Sequence, residues 1–314
     1  MVEDPGDTPN EKERKCGFIV LSGATNAGKS TLLNRIVGAK IAIVTPKVQT
    51  TRSRLSGILI RGSAQMIFID TPGIFKPKRR LERAMIAAAW SGIADADLAV
   101  VVADADRAAK APCKMDPDTR VIVEGLERIK VGAVLALNKI DLVQPQSLLE
   151  VTKIHESSGV FDRIFMISAA TGDGVDEFVG YLLEGLRPGP WLYPKDQLTD
   201  VPMRVMAAEV TREQAFLQLH QELPYALTVE TESWEEREDG GVRIDQSILI
   251  QRESQKGMVV GKGGRRIKSI GTAARSELEQ LLDRKVHLFL HVKSRPNWME
   301  RPEHYREMGL DFKG

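Results

Sequence analysis

Short apolar runs alternate with amphipathic stretches along the first 186 residues. Continuous apolar runs between polar or glycine-rich segments are typical of buried parallel strands, and apolar residues three or four positions apart are typical of helices. Strands are predicted at residues 17–22, 54–61, 65–69, 98–103, 131–137 and 163–167. Helices are predicted from residue 29 onwards and at 81–94, 118–130, 146–157 and 175–186. This alternation predicts an α/β domain with a mostly parallel sheet and helices on both faces.

The alternation stops at a segment rich in proline and glycine, residues 187–194. Such a segment ends a helix and forms a semi-extended linker, so we place a domain boundary there, with Trp191 and Tyr193 packing the linker onto one domain. The elements predicted beyond it are a strand at 203–209, a helix at 213–221, strands at 225–235 and 242–251 around a hairpin turn at 238–241, helices near 254–259 and at 265–282, and a strand at 285–292. These elements predict a second, smaller α+β domain.

The chain is thereby divided into five predicted segments. They are a disordered leader at 1–15, a first domain at 16–186, a linker at 187–202, a second domain at 203–296 and a C-terminal tail at 297–314. The leader is polar and charged and lacks the apolar centre of a signal peptide. The tail contains Trp298, Arg301 and Leu310 and can dock on either domain.

Composition narrows the class of protein without identifying a partner. The chain has 314 residues, 42% hydrophobic and 28% charged, which suits two soluble globular domains. The formal net charge of +1 means that any nucleic-acid site must be a local basic patch. Cys16 and Cys113 lack the spacing of a pair or of metal ligands, which indicates free thiols in a reducing compartment. Because no apolar run could cross a bilayer, we expect a cytoplasmic protein, and peripheral contact with the inner face of the membrane is left open.

A glycine-rich loop that matches G-x-x-x-x-G-K-[ST] joins the first predicted strand to the first predicted helix. In such a loop, backbone N–H groups and a helix N-terminus converge on a polyphosphate. Lys29 can reach the β- and γ-phosphates, and the Ser30 hydroxyl can hold Mg²⁺. The predicted nucleotide contacts in this loop are Gly23, Ala24, Thr25, Asn26, Ala27, Gly28, Lys29, Ser30 and Thr31. A chance glycine loop is the alternative, which the flanking strand and helix disfavour.

Two later segments extend this site to the metal and the γ-phosphate. After the strand at 65–69, Asp70 can reach Mg²⁺ through a water and the Gly73 N–H can sense the γ-phosphate, and the predicted contacts there are Asp70, Thr71, Pro72, Gly73 and Ile74. In the loop at 48–52, either Thr50 or Thr51 can complete the Mg²⁺ shell when the γ-phosphate is present, and we assign Thr51. The predicted metal ligands are Ser30, Thr51 and Asp70, and the predicted catalytic residues are Lys29, Ser30, Thr51 and Gly73.

The identity of the base is predicted by Asn138-Lys139-Ile140-Asp141, at the carboxyl end of the strand at 131–137. A carboxylate at Asp141 can accept both the ring N1–H and the exocyclic amine of guanine, a donor pair that adenine lacks. Asn138 can tie this loop to the phosphate loop, and the Lys139 stem can lie over the base. A backbone N–H of the segment Ser168, Ala169 and Ala170 can reach guanine O6. These features disfavour an ATPase.

The motifs together resemble the translation-factor-related GTPases of the Era and TrmE branch. The resemblance rests on Asn26, Gln49-Thr50-Thr51-Arg52, Asp70-Thr71-Pro72-Gly73 and Asn138-Lys139-Ile140-Asp141. It implies slow intrinsic hydrolysis, because Ile74 stands where Ras-like proteins carry a water-orienting Gln. In some members the residue that matches Asn26 helps to bind K⁺ in place of an arginine finger, and whether Asn26 does so here is left open. Ala24 and Thr25 differ from the Gly-Arg-Pro-Asn sequence that is usual at this place in the family. The difference removes no predicted phosphate contact.

A second glycine loop lies between the two predicted helices of the second domain. Gly-x-x-Gly in that context is typical of the KH clamp, which grips the backbone of about four single-stranded nucleotides. The predicted RNA contacts are Gly261, Lys262, Gly263, Gly264, Arg265, Arg266 and Lys268, whose cations supply counter-charge to phosphates. Apolar residues predicted to lie beneath the bases are Ile244, Ile248, Ile267 and Ile270. The element order resembles the second type of KH fold, and an ordinary helix–helix turn is the alternative.

A guanine-nucleotide domain followed by a KH domain resembles the layout of the Era family over nearly the whole chain. The resemblance implies a monomeric, Mg²⁺-dependent GTPase that cycles between GTP and GDP, binds the 3′ end of small-subunit ribosomal RNA and acts on the pre-ribosomal small subunit. Two other classes remain as alternatives, namely an RNA-binding protein with a residual nucleotide site and a membrane-associated signalling GTPase.

Overall fold

The computed structural model describes residues 13–110 and 114–312, with only the backbone described at 304 and 307. Most of the predicted leader at 1–15 and Cys113 therefore lie outside the described residues. Two compact units are present. Within the described chain, the first unit consists of residues 13–42, 51–200 and 309–312, and the second of residues 43–50 and 201–308.

Six strands build the sheet of the first unit. They are β1 (Lys15–Gly23), β2 (Leu55–Arg61), β3 (Ala64–Asp70), β4 (Leu98–Asp104), β5 (Ala133–Asn138) and β6 (Phe161–Met166). The spatial order is β2-β3-β1-β4-β5-β6, with β2 antiparallel to β3 and all other neighbours parallel. Because parallel strands end at the same edge, the last residues of four of them, Gly23, Asp70, Asp104 and Asn138, meet at one edge of the sheet.

Six helices accompany this sheet within residues 13–110 and 114–312. They are α1 (Lys29–Val37), α2 (Arg80–Asp95), α3 (Ala105–Ala109), α4 (Pro117–Ile129), α5 (Pro145–Glu156) and α6 (Val175–Glu184). Helix α1 buries Leu32, Leu33 and Ile36 at the predicted spacing, and every residue of β3 is buried. The predicted P-loop α/β fold of this unit is confirmed. The sequence pattern did not predict α3, whose five residues are too few to show a helical period.

The predicted linker packs along the first unit. The Trp191 indole N–H donates to the Ser63 carbonyl at 3.0 Å, and the side-chain oxygen of Gln65 accepts from the backbone N–H groups of Leu192 and Tyr193. Further along, the Ile58 N–H donates to the Leu198 carbonyl at 2.8 Å. The linker is thus held on strands β2 and β3 and the turn between them by one main-chain hydrogen bond and by bonds from the side chains of Trp191 and Gln65.

The second unit has a three-stranded sheet packed with three helices. Its elements are α7 (Met203–Gln218), β7 (Leu227–Glu236), β8 (Val242–Ile250), α8 (Lys256–Val260), α9 (Arg265–Leu282) and β9 (Val286–Ser294). The sheet order is β7-β8-β9, with β8 antiparallel to β7 and parallel to β9. Buried core residues include Phe216, Ile248, Val259 and Ile270. The order of strands and helices around the glycine loop is the one predicted for a KH domain.

One prediction in this unit is wrong. Residues 203–209 were expected to form a strand and 213–221 a separate helix, but a single helix, α7, covers Met203–Gln218. The apolar residues at 203, 205 and 207 alternate like a strand, yet Met206 and Val210 are buried one helical turn apart. No glycine or proline interrupts residues 203–218, so good helix formers such as Ala, Glu and Arg continue through the segment.

The C-terminal tail is divided between the two units. In the second unit, Trp298 is fully buried and its indole N–H donates to the Ala226 carbonyl at 3.0 Å. The short helix α10 (Pro302–Glu307) follows. Residues 309–312 belong to the first unit, where the guanidinium of Arg80 lies 3.8 Å from the Phe312 ring centroid. Both Trp298 and Leu310 are therefore docked, whereas Arg301 is exposed.

Candidate functional site

The glycine loop between β1 and α1 has a backbone path that glycine alone accommodates at two positions. Gly28 has φ +98°, and a Cβ there would lie 2.2 Å from the side-chain nitrogen of Asn138. A Cβ at Gly23 would lie 2.3 Å from the Val102 carbonyl oxygen. Asn26 also adopts a left-handed conformation, with φ 61°. The loop therefore passes close to Val102 and Asn138 and brings the N-terminus of α1 to the sheet edge where Asp70 and Asn138 lie.

Lys29 and Asp70 form the charged centre of this edge. Lys29 is buried, and its ammonium donates to the carbonyls of Gly23 at 3.2 Å and Ala24 at 2.8 Å. Burial lowers the pKa of Lys29 to about 8, although the charge of Asp70 opposes this shift. Burial likewise raises the pKa of Asp70, against the charge of Lys29 and several hydrogen bonds. Both shifts have the same cause, which is that each charge has been removed from water.

The Asp70 carboxylate also gathers two hydroxyl groups. One oxygen, Oδ2, accepts from Ser30 at 2.6 Å and from Thr51 at 3.3 Å, and the two hydroxyls lie 3.0 Å apart. The other oxygen, Oδ1, is buried without a hydrogen-bond partner among the described residues. A carboxylate and two hydroxyls are hard oxygen ligands, and an unpaired buried carboxylate oxygen is costly. The donor set therefore fits a magnesium ion, bound directly or through water.

The geometry distinguishes the two threonines that the sequence could not separate. Thr51 reaches Ser30 and Asp70, as described above. The Thr50 hydroxyl instead donates to the Lys47 carbonyl at 2.8 Å and lies 2.6 Å from the Thr45 hydroxyl. Only Thr51 of this pair shares the cluster around Asp70.

The segment after Asp70 is fastened to the phosphate loop. The Ile74 N–H donates to the Gly23 carbonyl at 3.0 Å, and the Thr71 hydroxyl donates to the Leu21 carbonyl at 2.9 Å. A Cβ at Gly73 would lie 2.9 Å from the backbone nitrogen of Thr25, so the two loops touch at Gly73. Ile74 is buried and cannot orient a water molecule through its alkyl side chain.

Asn138 connects the phosphate loop to the loop after β6. Its amide nitrogen donates to the Ala27 carbonyl at 2.8 Å, and its amide oxygen accepts from the Ala169 N–H at 2.9 Å. The Ala169 N–H is thus already occupied, as is the Ser168 N–H, which donates to the Asp173 carbonyl. Within the described chain, only Ala170 of this segment has a backbone N–H without an acceptor.

Asp141 follows in a 3-10 turn over Ile140–Leu142 and is exposed. Its carboxylate makes no hydrogen bond to any described residue, so it is available to a ligand. The turn is held to the residue that follows β6, because the Ile140 N–H donates to the Ile167 carbonyl at 3.3 Å. An exposed carboxylate on an anchored turn is suited to pairing with two adjacent donors of a ring.

Two residues that support this edge were missed from the sequence. Asp104, at the end of β4, pairs with the Lys139 ammonium at 2.5 Å and holds the Lys139 side chain across the edge of the sheet. Arg35, in the last turn of α1, donates to the carbonyl of Ala169 at 3.1 Å and to that of Ala170. Asp104 could have been found from its place at the end of a parallel strand. No sequence signal marks Arg35.

The glycine loop of the second unit projects cations into solvent. Residues Lys262–Gly264 form a 3-10 turn between α8 and α9, with left-handed conformations at Gly263 and Gly264. A Cβ at Gly261 would lie 2.7 Å from the Cβ of Arg266, whereas Gly263 faces open space. The exposed cations of the loop and of the first turns of α9 are Lys262, Arg265, Arg266 and Lys268. Ile248 and Ile270 are fully buried in the core cluster that includes Val259 of α8, and Ile267 is half-buried. Ile244 is also fully buried, but in a separate cluster with Val242, Leu278 and Val286.

Comparison with known proteins agrees with both halves of this geometry. A family model described as "50S ribosome-binding GTPase" matches residues 18–139, and a KH domain model matches residues 222–299. GTPase Era of Rhizobium meliloti is 55% identical over 298 residues, which cover 95% of this chain and 93% of that protein. GTPase Era of Agrobacterium fabrum is 53% identical over 312 residues, which cover 99% of this chain and 96% of that protein. This chain belongs to the Era GTPase family.

Two solved Era structures have the same fold over nearly the whole chain. An Era variant from Aquifex aeolicus bound to GDP and AlF₄⁻ has a TM-score of 0.86 at 35% identity, covering 94% of this chain and 99% of that one. Era in complex with MgGDPNP and nucleotides 1506–1542 of 16S ribosomal RNA has the same TM-score and identity. The match covers 95% of this chain and 99% of that one. The predicted family, its two-domain fold and its GTPase activity are confirmed.

As a GTPase of the Era family, the protein does not match the alternative of an RNA-binding protein with only a residual nucleotide site. The intact cluster of Lys29, Ser30 and Asp70 agrees with this conclusion. Among the described residues, no helix is both long enough and apolar enough to pass through a bilayer.

Proposed function

We propose that this Era-family protein is a GTP-driven switch that binds the 3′ region of 16S ribosomal RNA during small-subunit assembly. The observation that carries the proposal is the likeness to Era solved with MgGDPNP and nucleotides 1506–1542 of that RNA, over 95% of this chain. The family model for the first unit is named for the 50S particle, but it matches only residues 18–139. The comparison that includes the RNA-binding unit favours 16S RNA.

In the proposed nucleotide site, the loop from Gly23 to Thr31 surrounds the phosphates with backbone N–H groups. Lys29 neutralises charge on the β- and γ-phosphates, because two of its three ammonium N–H donors meet the carbonyls of Gly23 and Ala24 and a third remains for the phosphates. Ser30, Thr51 and Asp70 would hold Mg²⁺, which supplies charge neutralisation on the phosphate oxygens when bound. The Gly73 N–H senses the γ-phosphate at the point where the two loops touch.

Guanine specificity is assigned to the loops after β5 and β6. Asp141 accepts from N1–H and the exocyclic amine, the Lys139 stem lies over the ring, and Ala170 offers its unoccupied N–H to O6. Asn138 holds the two loops and the phosphate loop in register through its bonds to Ala27 and Ala169. Ser168 and Ile140 shape the turns and use their own backbone N–H groups internally.

Hydrolysis in this site lacks a side chain that orients water after Gly73, because Ile74 is buried and apolar. Intrinsic turnover is therefore slow, and charge on the transition state must be balanced by another group. We assign to Asn26, which lies in the phosphate loop with φ 61°, a contribution to a K⁺ site. Turnover measured in K⁺ and then in Na⁺ tests this, and equal rates would remove the role.

In the proposed RNA site, the loop from Gly261 to Gly264 grips a single-stranded backbone, and Lys262, Arg265, Arg266 and Lys268 neutralise phosphates. Two features of the loop support this assignment. Gly263 has open space around it, so a phosphate can approach the backbone, and all four cations are exposed.

The experiment is the double substitution Lys262→Asp with Gly263→Asp. It should weaken binding of the 16S segment at moderate salt by roughly tenfold or more and leave GTP affinity near normal. A matched control is Lys285→Asp with Gly240→Asp. Gly240 also has a left-handed backbone in open space, and Lys285 is also exposed, but both lie at the opposite end of β8. Undiminished RNA binding by the folded loop variant would show that the loop is only a helix–helix turn.

A further inference from the structure

The segment at residues 43–50 precedes Thr51 in the chain but belongs to the second unit. Helix α7 of that unit, with the residue that follows it, holds the segment at three places. The Glu213 carboxylate accepts from the Val44 N–H at 2.7 Å. The Lys47 ammonium donates to the carbonyls of Phe216 and Leu219. The Arg212 guanidinium donates to the Thr50 carbonyl at 2.6 Å.

Arg212 is the most constrained of these groups. It is only 1% exposed, its Nε donates to the Glu209 carboxylate at 2.7 Å, and its Nη2 also pairs with that carboxylate. The Phe216 ring centroid lies 5.1 Å from the guanidinium carbon. A buried cation must be paired and hydrogen-bonded to be tolerated, and the planar guanidinium offers its donors in fixed directions. The direction in which Arg212 meets the Thr50 carbonyl is therefore set by Glu209 and Phe216.

The Thr50 carbonyl lies in the same peptide plane as the nitrogen of Thr51. Because the peptide bond is planar, a hydrogen bond that fixes this carbonyl also fixes the plane that contains the nitrogen and the Cα of Thr51. One residue further, the Thr51 hydroxyl lies 3.0 Å from Ser30 and 3.3 Å from Asp70. Arg212 thus fixes the carbonyl of the peptide bond whose nitrogen belongs to Thr51.

We propose that Arg212 is a positioning residue for GTP hydrolysis, which holds the Thr50–Thr51 peptide so that the Thr51 hydroxyl is presented to magnesium and the γ-phosphate. This rests on the proposed role of Thr51 as a ligand in the triphosphate state. GDP has no γ-phosphate, so it gains nothing from a positioned Thr51. Loss of Arg212 should therefore weaken the triphosphate complex selectively, whereas general damage to the fold would weaken both complexes.

The test compares Arg212→Lys, Lys47→Met and the benchmark Thr51→Ala in the full-length protein. Lysine at 212 keeps the charge beside Glu209, but one ammonium cannot replace the several directed donors that reach both Glu209 and Thr50. Lys47→Met removes a separate anchor of the segment from a half-buried position, so it decides the question if the Arg212 variant does not fold. Arg243→Lys is the matched control, because Arg243 pairs with Asp245 and lies over Phe289 in the same unit, away from the segment.

Three readouts are needed: affinity for GDPNP and for GDP, single-turnover hydrolysis, and hydrogen exchange at residues 43–52 without nucleotide. Arg212→Lys should lower GDPNP affinity or turnover by roughly 10- to 100-fold, change GDP affinity by less than about threefold, and speed exchange at Val44. Lys47→Met should act in the same direction, and Arg243→Lys should change none of the three readouts.

Equal weakening of GDPNP and GDP would overturn the proposal. Normal GDPNP affinity together with normal turnover in the folded variants would also overturn it. The Thr51→Ala benchmark separates its failure from that of the proposed function. If Thr51→Ala does not discriminate GDPNP from GDP, the assignment of Thr51 is wrong. If it does discriminate while Arg212→Lys and Lys47→Met behave like the unmodified protein, only the role of Arg212 is wrong.

Discussion

Asn138→Ala tests whether one buried amide keeps the nucleotide site assembled. Asn138 is 2% exposed, and its removal leaves the Ala169 N–H and the Ala27 carbonyl without their partner. A buried polar group that loses its partner costs about 1–3 kcal/mol, and carbonyls are the more tolerant of the two. Together the two groups should cost about 2–4 kcal/mol.

This cost should make the free energy of nucleotide binding less favourable and lower the free energy of unfolding. In the proposed site, the phosphate loop and the loop after β6, which Asn138 joins, contact one ligand. A variant in which the two loops are no longer joined must restore their relative position when the nucleotide binds. A penalty of about 2–4 kcal/mol corresponds to roughly 30- to 700-fold weaker binding. Both GDP and GTP should be affected, because in the proposed site Asn138 joins the loops assigned to the base and to the phosphates and is not assigned to the γ-phosphate.

Gln65→Ala is a matched control for this loss. Gln65 is also a buried amide of the same sheet, and it makes three hydrogen bonds to the backbone of Leu192 and Tyr193. It lies near the start of β3, whereas Asp70 of the site lies at its end. The control should lower the melting temperature comparably and change nucleotide affinity by less than about threefold. Titration calorimetry with GDP and thermal melting of the free proteins give both quantities, and a loss below about threefold in Asn138→Ala would refute the reasoning.

Two further predictions concern the charges of the site. Asp141→Asn should weaken GTP and favour xanthosine triphosphate by about 2–5 kcal/mol of discrimination, measured by competition binding, and equal affinity of the unmodified protein for ATP and GTP would contradict it. The pKa of Lys29 is lowered to about 8. Between that pH and the ordinary pKa of lysine, the unfolded chain binds a proton that the folded protein lacks. The contribution of Lys29 to the free energy of unfolding therefore rises with pH in this window. Binding of a triphosphate restores the charge, so calorimetry near pH 9 in buffers of different ionisation enthalpy should show uptake of up to about one proton, and heats independent of the buffer would exclude it.

Much of the first unit was predictable because its strands are short apolar runs with clear boundaries. Strand β4 begins at the predicted residue and ends one residue later than predicted. In the second unit, α9 has the predicted bounds. The residues at the strand ends were predictable for the same reason, since chain order and the parallel sheet place Asp70 and Asn138 at one edge. The predicted domain boundaries and the roles assigned to individual site residues stay predictions.

Pairings across long sequence separations were not predictable in this way. Arg35 meets the carbonyl of Ala169, which is 134 residues away, and nothing in the local pattern of α1 distinguishes Arg35 from a solvent-exposed arginine. Helix α7 was predicted as a strand and a helix, because an alternating start was given more weight than the absence of a breaking residue. That error also hid Arg212, since its burial depends on the continuous helix.

The linker at 187–202 was located by its composition, and composition follows the order of the chain. Contacts need not follow that order, and residues 43–50 belong to the second unit although they lie within the first predicted domain. A boundary drawn at the linker separates Thr50 from Arg212, whose side chain holds the Thr50 carbonyl from 162 residues away. The information needed to place this segment lies in the α7 residues that receive it, namely a buried arginine and a buried glutamate side by side on one helix. Such a pair is too polar for an ordinary core face, and a buried charged pair of this kind indicates that another part of the chain docks there.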